Sequence, residues 1–166
     1  MKRITGNLID LAEEAKFDII VHGCNCFHKM GSGIAREIAS RYPSVAAADN
    51  LTPRGDLSKL GTFSFAEVKS GAHGFTVVNA YTQYGWSGLL KDGRKDLFEY
   101  EKFSEFLRKL EIFSTQMGHK MGRKVRIGFP KIGCGYAKGD ESRIVPMIED
   151  FAVRSKDWAE VTLVTL

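Results

Sequence analysis

The chain has 166 residues, of which 43% are hydrophobic and 27% charged, and a formal net charge of +4. That size and balance suit one globular domain with one core and exclude a disordered or fibrous chain. The modest positive charge favours an anionic partner but falls short of a dedicated nucleic-acid-binding tail.

No apolar run approaches the roughly 18 to 20 residues that cross a bilayer, and the opening Met1-Lys2-Arg3-Ile4-Thr5-Gly6 lacks a signal-peptide core. A cytoplasmic protein with no membrane association is expected. Cys24, Cys26 and Cys134 are an odd number, and the first two are too close for an easy pair, so no disulfide framework is expected.

In chain order, strands are predicted over residues 2–6, 18–22, 62–68, 75–82, 124–129 and 159–166, alternating with segments of helical period. One helix starts near Gly33 and ends at Tyr42-Pro43, because proline disfavours helix at the residue before it. A second runs over residues 96–117, with Leu97, Tyr100, Phe103, Phe106, Leu107, Leu110 and Phe113 forming one apolar stripe. A third covers residues 141–155, capped by Asp140 and carrying Pro146 in its second turn. Residues 52–56 and 83–95 are the irregular stretches. The alternation implies a single α/β domain spanning residues 1–166, with a mixed, largely parallel sheet between helices.

Two glycine loops carry the chemistry. The apolar strand Asp18-Ile19-Ile20-Val21 runs into His22-Gly23-Cys24-Asn25-Cys26-Phe27-His28-Lys29-Met30-Gly31-Ser32-Gly33 and then into a helix. The strand Val125-Arg126-Ile127-Gly128-Phe129 repeats the plan through Pro130-Lys131-Ile132-Gly133-Cys134-Gly135-Tyr136-Ala137-Lys138-Gly139. Glycines let the backbone approach a ligand, and a helix start directs free amides at it, which specifies an anion or sugar site. Neither loop has the P-loop spacing. If the two strands are parallel neighbours, both loops meet at one end of the sheet.

These residues resemble the macro domains, which bind ADP-ribose. The resemblance rests on Gly6-Asn7-Leu8, on Ile20 to Cys26 with Met30-Gly31-Ser32-Gly33-Ile34-Ala35, on Pro130 to Gly135 and on Val161 to Leu166, and it covers essentially the whole chain in order. Within the family the chain is most similar to the branch of ADP-ribose 1''-phosphate phosphatases and terminal ADP-ribose glycohydrolases. The resemblance implies a three-layer α/β/α fold with the ligand across the strand ends, no cofactor and a monomer. The implied activity is removal of the terminal phosphate of ADP-ribose 1''-phosphate; a non-catalytic ADP-ribose reader and a hydrolase of ADP-ribosyl adducts are the alternatives.

By the same resemblance, Asn7 stands where the family usually has an adenine-binding Asp, and Leu8 contributes backbone beside it. Asn25 corresponds to the residue holding the distal ribose. Gly31, Ser32, Gly33 and Ile34 follow the diphosphate and distal ribose, while Ile132, Gly133, Cys134, Gly135, Tyr136 and Ala137 wrap the diphosphate. Thr82 and Gln83, ending the central strand, are placed with the ligand-binding residues. His22 is assigned as proton carrier and Asp92 as its acidic partner, with Lys91 and Arg94 steering the substrate.

Each assignment has a plainer alternative: Asn7 as a turn residue, His22 as a satisfied buried histidine, Asp92 as a solvated loop residue, and Cys134 as a packing residue and not a nucleophile. The Cys24-x-Cys26-x-His28 run is not a usual zinc spacing, and no metal is expected. Lysine-dependent deribosylation is disfavoured, because the chain lacks the lysine after the central strand and has Ala137 in the second loop where that chemistry needs Asp. Nucleic-acid binding through Lys120, Arg123, Lys124 and Arg126 is also disfavoured, because the run is short and lacks interleaved aromatics.

Overall fold

The structure, a computed structural model, describes residues 1–86 and 97–166. Six strands form one sheet: β1 (Lys2–Thr5), β2 (Ile19–Cys24), β3 (Phe63–Ser70), β4 (His73–Tyr81), β5 (Val125–Phe129) and β6 (Ala159–Thr165). Their order is β1-β6-β5-β2-β4-β3, parallel throughout except for the β3–β4 hairpin. The helices are α1 (Leu8–Glu13), α2 (Gly33–Arg41), α3 (Pro43–Asn50), α4 (Tyr100–Met121) and α5 (Glu141–Arg154).

Strand alternation divides the interior into two cores. Ile19, Val21, Val78, Ile127, Phe129 and Leu163 point to α4 and α5, where they meet Phe103, Phe106, Leu110, Ile144, Ile148 and Phe151. Ile20, Val77, Phe75 and Val164 point the other way, against Leu8, Ile9, Ile38 and Val45 of α1, α2 and α3. The β2 strand is apolar on both faces because it is central and covered on both sides. The expected three-layer α/β/α arrangement is present.

As expected, α2 ends before Pro43, with Tyr42 non-helical. Pro43 is then the first residue of a further helix, α3, where a missing N–H costs nothing and the fixed φ is already helical. Two elements differ from the sequence expectation. Asn7 starts a short helix, α1, by accepting hydrogen bonds from the amides of Ile9 and Asp10, both at 3.0 Å. The aromatic helix α4 starts at Tyr100 and not at residue 96, because residues 97–99 run extended and Phe98 bridges to Gln83.

At the N-terminal end of β2 and β5, Asp18 receives two hydrogen bonds from Arg123 and three from Arg126, counting its backbone amide. Burial pushes the Asp18 carboxyl up, but these bonds outweigh it and hold the group well below the usual carboxylate range. Two of the cations considered for a nucleic-acid surface are therefore spent on an internal carboxylate. Among the described residues, no helix is long and apolar enough to cross a membrane.

Candidate functional site

Strands β2 and β5 are parallel neighbours, with Ile19 opposite Ile127 and Ile20 opposite Gly128. The loops that follow them emerge side by side at the C-terminal end of the sheet, where open α/β sheets bind ligands. The first loop leads into α2, whose N-cap Ser32 makes no side-chain capping bond, so the first-turn amides stay open. The second is held by hydrogen bonds from the Cys134 amide to the Lys131 carbonyl and from the Gly139 amide to the Gly133 carbonyl. The amides of Gly133, Gly135, Tyr136 and Ala137 donate to no group among the described residues. Such a set of unpaired donors, with the positive end of a helix dipole, stabilises an anion without requiring a free cation.

The loop geometry depends on unusual backbone conformations. Gly133 has φ of +76°, and a Cβ there would lie 2.3 Å from Phe98 Cδ2. Gly33, which opens α2, has φ of +59°. His28 and Lys138 occupy the same left-handed region despite their side chains, one in each loop. His28 is held there by its Nε2, 2.7 Å from the Thr52 carbonyl.

Two connected lobes lie over these loops and share Gly33, Ile34, Pro130 and Lys131. One, of about 530 Å³, is walled mainly by apolar groups of Leu8, Ile9, Ile34 and Val164, with Asn7 and Glu37 at its edge. The other, of about 740 Å³, is more polar and is lined by Asn25, His28, Lys29, Gly31, Gln83 and Trp86, among others. Lys131 carries little free charge into the junction, because its Nζ pairs with Glu141 at 2.8 Å. At the rim of the polar lobe, Phe27 packs edge-on against Tyr84 and Trp86, and Lys29 lies over the Trp86 ring at 5.7 Å.

Most residues predicted from the sequence converge here. Asn7, Leu8, Gly33 and Ile34 line the apolar lobe. Asn25, Gly31, Ser32, Gly33, Ile34, Gln83, Ile132, Gly133, Gly135, Tyr136 and Ala137 line the polar one. Asn25 also builds its own loop: its Oδ1 accepts from the amides of Phe27 and Lys29, and its Nδ2 donates to the Lys29 carbonyl at 2.8 Å. What it still offers a ligand is one amide proton. Gln83 is anchored through Nε2 to the Gly85 carbonyl, which leaves its Oε1 as an acceptor.

Asp92, together with Lys91 and Arg94, lies outside the described residues. Three other predicted residues do not line the cleft. Thr82 is fully buried beneath Gly23, with Oγ1 lacking a hydrogen-bond partner among the described residues. Cys134 turns from the cleft toward the α4–α5 core, and its thiol contacts the Ile132 carbonyl at 3.6 Å.

His22 is the third. It is fully buried on the α2–α3 side of the sheet, with Nε2 2.5 Å from Asn79 Oδ1. Asn79 donates in turn to the Val45 carbonyl and to Ser64 Oγ, which fixes its oxygen toward the imidazole and makes His22 Nε2 the donor. Beyond Ser64 lie the Tyr81 hydroxyl and the buried Asp49. Burial lowers the imidazole to about 4, although the Asn79 bond and the Asp49 charge oppose it. Cys24, whose own thiol is pushed up by burial, lies next to His22 and lines the cleft. A neutral histidine closed off in this way does not line the cleft, and its burial and hydrogen bond agree with the plainer alternative of a satisfied buried histidine.

Sequence reasoning passed over Trp86, Glu37, Lys29 and Lys131. An unpaired tryptophan in an irregular loop was the available signal for Trp86; nothing in the local pattern marked the others.

No protein-family model matches the chain. It is 33% identical over 163 residues to the uncharacterized 17.5 kDa protein of the tk-vs intergenic region of phage T4, covering 95% of this chain and 96% of that one. In structure it is similar to the macrodomain of Thermus aquaticus DarG, with a TM-score of 0.71 at 18% identity, covering 98% of this chain and 96% of that one. It is also similar to Thermosipho africanus DarTG in complex with ADP-ribose, with a TM-score of 0.71 at 15% identity, covering all of this chain and 42% of that one.

Proposed function

Starting from a chain that belongs to the same family as the phage T4 17.5 kDa protein and has the macrodomain fold, we propose that its cleft binds ADP-ribose. The carrying observation is the order of environments along the cleft. An apolar slot comes first, then a junction at the first turn of α2, then a polar lobe that holds the open amides of the Gly133 loop together with side-chain donors and acceptors. A flat base, a diphosphate and a ribose occupy those environments in that order. The ADP-ribose held by the Thermosipho africanus protein of the same fold agrees with this reading.

ADP-ribose 1''-phosphate, with its added phosphate on the distal ribose, is the substrate we propose for turnover. Phosphoryl transfer depends mainly on positioning and charge stabilisation, for which the loop amides, Lys29 and His28 are the groups at hand. His22 is left out of this chemistry. A phosphorus NMR time course of ADP-ribose 1''-phosphate with a stoichiometric amount of protein separates the two levels. Growth of inorganic phosphate is the expected result. Perturbed diphosphate signals without phosphate release would reduce the function to binding, and an unperturbed spectrum would overturn the ligand.

A further inference from the structure

The two edges of the sheet are protected unequally. Strand β1 has 4 residues, and its basic side chains are already paired, Lys2 with Glu160 at 2.6 Å and Arg3 with Glu149. Strand β3 has 8 residues, no proline and no neighbouring strand on its outer side. The Tyr81 amide bonds the Thr62 carbonyl, so in this antiparallel ladder Ser64, Ala66, Val68 and Ser70 turn their backbone groups to β4, and Phe65, Glu67 and Lys69 turn theirs outward. Among the described residues nothing bonds to those outward groups. The Glu67 and Lys69 side chains are exposed and form no ion pair there, and Phe65 is left 45% exposed beside Phe113 of α4.

We propose that β3 is the contact through which two copies of this chain associate, antiparallel about a two-fold axis at Val68, so that their sheets become continuous. That register sets Glu67 of each copy opposite Lys69 of the other, twice by symmetry, at the roughly 5 Å Cβ separation of cross-strand pairs. The other registers do not match the charges. An axis at Glu67 or Lys69 sets like charges together, and an axis at Phe65 or Ala66 leaves both charges without an opposite. A lone lysine on an edge strand guards it against pairing, whereas a glutamate two residues before it on the same face makes the edge self-complementary. The axis at Val68 also brings Phe65 to Gly71 of the second copy, in the β3–β4 turn, where nothing lies within 4 Å of the Cβ position. No residue of β3 lines the cleft, so the contact lies apart from the ligand site and does not rest on the function proposed above. The resemblance implies a monomer; the β3 edge gives the chain a reason to depart from it.

Sedimentation velocity at low ionic strength, where exposed ion pairs are least screened, tests the proposal on the wild type, Glu67→Lys, Lys69→Glu and an equimolar mixture of the two variants. The wild type is expected to dimerise as its concentration rises. Each variant alone sets like charges together at both symmetric contacts and is expected to dimerise at least about tenfold more weakly. The mixture is expected to recover the dimer, because every charged contact between the two variants is again between opposites. Both positions are exposed, so thermal unfolding should show both variants folded as the wild type is. A wild type that stays monomeric up to roughly millimolar concentration, variants that associate as the wild type does, or a mixture that associates no better than its components would each overturn the proposal.

Discussion

Gly133→Ala is expected to abolish measurable ADP-ribose binding and to destabilise the fold by roughly 3 kcal/mol, a fall in Tm of about 6–12 °C. Two costs add. A Cβ at φ +76° is strained by about 1–2 kcal/mol, and the same atom would overlap the Phe98 ring at 2.3 Å in the wall of the main core. Relief requires Phe98 or the loop to move, and Phe98 also bridges to Gln83 of the cleft. Gly135→Ala is the control for stability: no atom lies within 4 Å of its Cβ position, so its Tm should match the wild type. Thermal unfolding and calorimetry on both variants check this. A Gly133→Ala protein with wild-type Tm and affinity would show that the loop does not need this conformation.

Lowering the pH from 7 to 4.5 is expected to cost roughly 2–3 kcal/mol of stability, through His22. Its imidazole lies at about 4 when folded and at its ordinary value of 6.5 in the unfolded chain, so between those values the unfolded chain binds the additional proton. The folded state is therefore favoured above pH 6.5 and loses that advantage as the pH falls toward 4. Asp18, whose folded carboxyl lies below the usual carboxylate range, adds its own loss only at lower pH. Urea unfolding at several pH values measures the slope, and His22→Gln should flatten it. Proton NMR of the imidazole supplies an independent check: no protonation of His22 is expected above pH 5. A His22 that titrates near 6.5 in the folded protein would contradict the buried network.

The central strand illustrates how far the sequence carries this structure. The apolar run at Ile19-Ile20-Val21 announced a strand covered on both faces, and the glycines after it announced an irregular loop leading into a helix, which lines the cleft; both follow from local chemistry. The strand was expected to end at His22, but β2 continues to Cys24, so His22 lies inside it on the same face as Ile20, toward α2 and α3, where it is fully buried. Pro43 illustrates a different ambiguity, since the residue that stops one helix is also suited to start the next. Asn7 was legible as a turn residue and as a ligand contact; that its oxygen is consumed by α1 depends on a helix of only 6 residues, too short to register as a periodic pattern. The open amides of the Gly133 loop could not be read at all, because which backbone donors stay unpaired is decided by the folded geometry.

The most direct test of the account is a titration of the nitrogen-15-labelled protein with ADP-ribose, followed by amide chemical shifts. Saturable changes are predicted at Leu8 and Ile9 in the base lobe, at Gly31 to Ile34, and at Gly133 to Ala137, with the Asp18–Arg123 end of the sheet unaffected. No saturable change in those three segments, or changes centred away from the C-terminal ends of β2 and β5, would contradict it.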